Sequence, residues 1–172
     1  MKTAVIYTSQ TGFTKQYAEW IAEEVSGDCF TVAEAKKKDL SGYDAVVFGG
    51  WCFAGTIKEL GWFKKAAAQW TNKRKVVFAV GASPFENPEL EEGLRNNFTD
   101  EEWAQISVCY CPGGLRYERM NPVSKMMMKM FVKMLAKKKS EKEQAMAEML
   151  AKSYDISDKK YIAPIVECLK AE

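Results

Sequence analysis

Lys2-Thr-Ala-Val-Ile-Tyr-Thr-Ser-Gln-Thr-Gly-Phe-Thr-Lys15 decides the fold, because an apolar run suited only to a buried strand stops abruptly in hydroxyl and amide side chains around a glycine. Such a turn is a phosphate cradle. Thr8, Ser9, Gln10, Thr11 and Thr14 supply side-chain donors, Gly12 lets the backbone come close, and the following helix turns its free N–H groups back toward the loop. A hydrogen bond to a charged phosphate oxygen contributes about 1.5–3 kcal/mol, so a handful of neutral donors holds a doubly charged phosphate without an arginine. The helix reads from the stripe Tyr17, Ala18, Ile21, Ala22 and Val25, which must face a sheet, and Gly27 is expected to end it. The competing reading is a hydroxyl-rich turn that merely caps this helix.

Composition narrows the chemistry. There is no Gly-x-x-x-x-Gly-Lys-Ser/Thr and no Gly-x-Gly-x-x-Gly followed by an acidic residue at the second strand, which argues against nucleotide hydrolysis and NAD binding. The chain has no histidine, so the commonest general base and the commonest zinc ligand are both missing. Hydrolase chemistry is disfavoured, no catalytic side chain or metal site is expected, and demanding chemistry has to come from a bound cofactor. Five cysteines make an odd count without Cys-x-x-Cys, and Cys109 and Cys111 lie two apart on one strand, about 6.6 Å, too far to bridge easily. A reduced, cytoplasmic protein is expected. The first strand begins at Lys2, leaving no room for a signal peptide, and no apolar run approaches the roughly 20 residues that span a bilayer. With 172 residues, 47% of them hydrophobic, residues 1–172 are expected to form one domain.

Further strands are expected at Cys29–Ala35, Asp44–Gly49, Lys75–Gly81 and Ile106–Cys111, separated by helical segments. Ala45-Val-Val-Phe48 and Val76-Val-Phe-Ala-Val80 do not alternate, so both faces of these strands are covered, as in a parallel sheet between helix layers. Two loops then fall on the carboxyl edge of the sheet. Gly49-Gly50-Trp51-Cys52-Phe53-Ala54-Gly55-Thr56 sets two aromatics among glycines, which suits a flat ring, and Gly81-Ala82-Ser83-Pro84-Phe85 lies across from it. Trp51 or Phe53 stacks on such a ring, or both pack on the helix containing Leu60, Trp62 and Phe63.

The pattern Thr8-x-x-Thr11-Gly12-x-Thr14 after the first strand resembles the flavodoxin family. That resemblance implies an α/β three-layer sandwich with a five-stranded parallel sheet in the order 2-1-3-4-5, and FMN as cofactor. The loop Thr8, Ser9, Gln10, Thr11, Gly12, Phe13, Thr14 would wrap its terminal phosphate. Gly50, Trp51, Cys52, Phe53, Ala54 and Gly55 would lie against the isoalloxazine, and Ala82, Ser83 and Pro84 would touch its other side. Simple electron-carrier flavodoxins usually have an acidic Gly-Asp and a tyrosine in this second loop, where the present chain has Ser-Pro-Phe.

Charge points to a further segment. Residues 121–140 hold six lysines and no acid, whereas acidic residues outnumber basic ones both before and after them. Read as a helix, this window puts Met127, Met130, Phe131, Met134 and Leu135 on one face and Lys125, Lys129, Lys133 and Lys137 on another. A basic helix rich in methionine suits an anionic membrane surface or an apolar partner groove, at about 1 kcal/mol per lysine near an anionic leaflet. The alternative is an ordinary surface helix whose apolar face packs on the domain. Nucleic acid is not expected as a partner, because arginines and interleaved aromatics are lacking there. Residues 121–152 form a helical insertion after strand five that a minimal sandwich does not need, with Ser140-Glu-Lys-Glu143 a capping box within it. The last helix carries the stripe Tyr161, Ile162, Ile165, Val166, Leu169, and Pro164 kinks it or marks its start.

Gly113-Gly-Leu-Arg-Tyr117 before the basic helix resembles the flavodoxin branch that includes menaquinone-dependent protoporphyrinogen dehydrogenase. The branch implies FMN, a quinone or membrane-associated redox partner, and peripheral residence at the inner membrane face through Lys125, Lys129 and Lys133. It further implies that Arg116 and Arg119 meet substrate propionates. The expected function is FMN-dependent electron transfer. Porphyrinogen dehydrogenation is one alternative, and a non-catalytic adaptor binding a partner through residues 121–140 is another.

Overall fold

The computed structural model describes residues 1–171. Five strands, β1 (Thr3–Tyr7), β2 (Asp28–Thr31), β3 (Ala45–Phe53), β5 (Arg74–Gly81) and β6 (Ser107–Pro112), pair in parallel in the order β2-β1-β3-β5-β6. This is the expected 2-1-3-4-5 sheet. A sixth strand, β4 (Thr56–Ile57), folds back antiparallel on the end of β3.

Strand alternation divides the apolar side chains between two helix layers. Ala4, Ile6, Val46, Phe48, Val77 and Ala79 point to one face, where α2 (Val32–Ala35), α3 (Leu60–Ala67), α4 (Leu90–Arg95) and α5 (Asp100–Gln105) cover them. Phe63 of α3 stacks on Phe48 with centroids 5.2 Å apart. Val5, Val47, Val76, Phe78 and Val80 point to the other face, under α1 (Phe13–Val25) and α8 (Ala163–Lys170). Each fully buried side chain of this size contributes about 1.5–3 kcal/mol, which explains why the central strands carry apolar residues at every position.

Several local expectations need correction. The second strand does not run to Ala35: Thr31 accepts from Glu34 N–H and Glu34 returns to the Thr31 N–H at 2.8 Å, and this reciprocal cap turns the chain into α2. Helix α1 ends with Ser26, not Gly27, in the left-handed conformation (φ 48°). Gly27 is needed for a different reason, since a Cβ there would stand 2.9 Å from the Thr3 carbonyl oxygen. Pro164 lies in the first turn of α8, where its missing N–H costs nothing.

Between β6 and α8 the chain leaves the sandwich. Strand β7 (Gly114–Leu115) pairs antiparallel with β8 (Tyr154–Asp155), and α6 (Pro122–Ala136) and α7 (Glu141–Leu150) lie between them. Leu115, Leu135, Ala147 and Leu150 form a small core of their own there. Ser140 sits at the N-cap of α7 but makes no side-chain cap; Glu143 pairs with Lys138 instead, so the expected capping box is absent. On α6 the stripe expected to hold Met127, Met130, Phe131, Met134 and Leu135 is divided, Leu135 alone turning inward. Ser124, Met128, Val132 and Leu135 face inward, while Met127, Met130, Phe131 and Met134 are exposed. Among the described residues no helix is long and apolar enough to cross a membrane.

Candidate functional site

Most residues expected at the site lie along the carboxyl edge of the sheet, where β1, β3 and β5 release their loops. The loop after β1 is pinned at its start, with Thr8 N–H donating to the Gly49 carbonyl at 2.9 Å. Ser9 Oγ accepts from Gly12 N–H at 3.1 Å, and Gly12 takes φ +100°, a conformation that favours glycine. No side chain caps α1, and among the described residues the N–H groups of Gln10, Thr11, Phe13 and Thr14 find no acceptor. Four unfilled donors at and just before a helix start favour an anion.

Two cavities share this loop as a wall. One, of about 450 Å³, is mainly apolar and takes Gln10, Thr11, Phe13 and Thr14 from the loop, Trp51 to Gly55 from the β3–β4 turn, and Ala82 and Ser83 from the loop after β5. Its volume lies in the range of small-molecule sites. The other, of about 760 Å³, is an open cleft with Thr8 to Gly12 on one side and Lys15, Lys36, Lys37 and Arg119 around it.

The aromatic wall is set by a tight hairpin. Ala54 (φ 47°) and Gly55 (φ 78°) form the two-residue turn between β3 and β4, and both need positive φ. Trp51 and Phe53 therefore project from the same side of β3, edge to face, with centroids 5.5 Å apart. Lys58 lies over both rings, at 5.7 and 4.8 Å. The helix with Trp62 and Phe63 packs on Phe48 instead, leaving Trp51 and Phe53 to the cavity. Cys52 points toward the core, and burial pushes its thiol up to about 11.

Gly50 and Pro84 line neither cavity. Gly50 admits the hairpin, because a Cβ there would stand 2.5 Å from Ile57 Cγ2. Beyond Pro84, Phe85 turns away and stacks on Tyr161, 5.4 Å between centroids. The rest of the β5 loop is held by two phenols: Tyr110 donates to Ser83 O at 2.8 Å and Tyr154 to Ala82 O at 2.6 Å.

The remaining wall comes from the excursion after β6. Leu115, Met120, Met127, Met128 and Phe131 line the 450 Å³ cavity opposite Trp51 and Phe53. Of these, only Met127 and Phe131 belong to the stripe expected to meet a membrane, a partner or the domain itself; the place of all five at a cavity depends on the β7–β8 ribbon, which no local signal reveals. Burial raises three further thiols, Cys29 and Cys109 to about 11 and Cys111 further still, so none of these three stands ready as an activated thiolate. Among the described residues no cluster of His, Cys, Asp and Glu could hold a metal.

A family model described as flavodoxin domain matches residues 4–143, from β1 into α7. The chain belongs to the flavodoxin domain family. The match takes in the loop after β1, both edge loops and α6, so the cavity walls of this flavodoxin-domain protein all fall within it. No curated protein matches the chain. Among solved structures, it is similar to a flavodoxin, WrbA-like protein from Agrobacterium tumefaciens (16% identity over 87% of this chain and 95% of that one, TM-score 0.49). It is also similar to oxidised flavodoxin 1 from Bacillus cereus (16% identity, 77% and 98%, TM-score 0.41). A third similar structure is a flavoprotein in complex with FMN from Lactobacillus acidophilus (18% identity, 64% and 91%, TM-score 0.42).

Proposed function

We propose that this flavodoxin-domain protein binds FMN and transfers electrons through it. The observation that carries the reading is the coincidence of the four unfilled N–H groups of residues 10–14 with an aromatic, apolar cavity that shares the same loop as its wall. A phosphomonoester joined by a short polyol to a flat ring system suits this arrangement. Gln10, Thr11, Phe13 and Thr14 would hold the phosphate, and Trp51 or Phe53 would stack on the ring. Stacking adds about 0.5–1.5 kcal/mol beyond area burial. FMN, when bound, supplies one- and two-electron chemistry. The chain's own contribution is to bind and orient it and to keep water from one side through Met127, Met128 and Phe131.

We further propose that the partner is a quinone or another apolar redox molecule met at an anionic membrane surface. Met127 and Phe131 belong both to the cavity wall and to the exposed face of α6, which continues through Met126, Met130 and Met134 beside Lys129 and Lys133. Contact of that face with lipid would place the cavity mouth where such a partner dissolves.

Purified protein should be yellow and release FMN on boiling; colourless protein that ignores added FMN would leave the adaptor reading in possession. Flavin-loaded protein should be reoxidised by a short-chain menaquinone analogue. Reduction of the flavin by protoporphyrinogen would establish the dehydrogenase alternative. Flotation with anionic liposomes should drop when Lys125, Lys129 and Lys133 are replaced by glutamate, and unchanged flotation counts against the membrane contact.

A further inference from the structure

The chain after β6 reaches back over the phosphate loop and places two guanidinium groups beside it. Nη1 of Arg116 stands 3.1 Å, and Nη1 of Arg119 3.2 Å, from the point a Cβ on Gly12 would occupy. The two arginines are held differently. Arg116 is fully engaged: it donates to the Thr11 carbonyl at 3.2 Å, pairs with Asp155 at 2.9 Å, and lies 3.9 Å from the centroid of the Phe13 ring. Arg119 has neither a carboxylate partner nor a hydrogen-bond acceptor for its side chain among the described residues, and it faces the open cleft together with Thr8 to Gly12. Of the other cations around that cleft, Lys15 pairs with Glu19 at 3.7 Å and Lys36 with Glu59 at 3.2 Å, while Lys37 has no carboxylate partner among the described residues.

We infer that Arg119 is a direct charge partner of the cofactor's terminal phosphate, and that Arg116 is the strut that brings it there. The inference rests on the FMN reading and deepens it. Neutral donors alone suffice in principle for a phosphate dianion, but this loop is not left neutral. A guanidinium parked over the one glycine of the loop, without an internal partner, adds a point of attachment that distinguishes a phosphorylated flavin from its dephosphorylated form. Because Arg119 belongs to the excursion and not to the sandwich, phosphate binding also ties the cover that bears Met127 and Phe131 to the floor of the site.

Titration of the full-length, flavin-stripped chain with FMN and with riboflavin tests this. The wild type should prefer FMN, with an affinity that falls as salt rises. Arg119→Gln should weaken FMN binding about 10-fold, the low end for a charge-assisted hydrogen bond because the side chain is exposed, and leave riboflavin affinity unchanged. Arg119→Lys should recover part of the loss. Equal losses for both flavins, or an undiminished FMN affinity in Arg119→Gln, overturn the role of Arg119 while leaving the FMN reading intact. A wild type that binds neither flavin overturns both.

Discussion

Tyr154 donates its phenolic hydrogen to the carbonyl oxygen of Ala82 at 2.6 Å, joining the far end of the α6–α7 excursion to the loop that rims the cavity. Tyr110 does the same for the next carbonyl, Ser83. Two successive acceptors of one loop are thus taken by phenols from β6 and β8, and the loop's shape depends on structure far from it in sequence.

Tyr154→Phe removes the donor and leaves the Ala82 oxygen without it, at a cost of about 1–3 kcal/mol, read as a lower urea midpoint. Alkaline pH gives a second readout. Burial, with the nearby Tyr117 phenol, pushes the Tyr154 hydroxyl up to about 12, above the ordinary value near 10. A folded pKa above the unfolded one contributes stability below pH 10 that is lost as pH rises to about 12. Wild-type stability should fall through that window, and Tyr154→Phe should fall less steeply.

Asp155 behaves oppositely. Its burial opposes ionisation, but hydrogen bonds from Ser157 and Arg116 outweigh it, so the carboxyl titrates below its ordinary value. The stability from a depressed carboxyl is present above the unfolded pKa and fades as pH falls through the folded one. Asp155→Asn should therefore lower the thermal midpoint at pH 7, by the equivalent of about 0.2–1 kcal/mol for a half-exposed pair, and the gap from wild type should close below about pH 4.

Gly114 is the least replaceable position of the excursion. It sits at φ +132°, and a Cβ there would stand 2.2 Å from the Tyr154 carbonyl oxygen. Gly114→Ala should cost about 2 kcal/mol or more and speed amide exchange in α6 and α7, with little change in β1, β3 and β5.

Of the five tryptophans, Trp51 alone lines the apolar cavity. Bound FMN should quench its emission, and Trp51→Leu should remove most of that quenching while weakening FMN binding by about 0.5–1.5 kcal/mol or more. Quenching that persists in Trp51→Leu would place the ring elsewhere.

The sheet was legible because Ala45-Val-Val-Phe48 and Val76-Val-Phe-Ala-Val80 are apolar at every position, a pattern that only a doubly covered parallel strand sustains. The loop at residues 8–14 was legible because hydroxyls, a glycine and a helix start coincide within seven residues. The β4 hairpin was not, since Ala54-Gly55 lacks the asparagine or aspartate that usually announces such a turn. Caps misled in both directions: Thr31 and Thr99 form reciprocal caps, whereas Ser140 loses its glutamate to Lys138. The facing of α6 was left open because its methionines make it apolar around much of the helix, and only Leu115, Leu150 and Tyr154, distant in sequence, settle which side is inward. Arg116 and Arg119 reach Gly12 across about a hundred residues, a proximity no spacing rule encodes.

Ile156 N–H donates to the Gly113 carbonyl at 2.9 Å, just beyond the β7–β8 pair. The excursion therefore departs and rejoins through one narrow doorway, with its two stems side by side. A fold built this way hangs its whole roof from one pair of stems, so that what reaches the cavity can change without disturbing the joinery of the sheet.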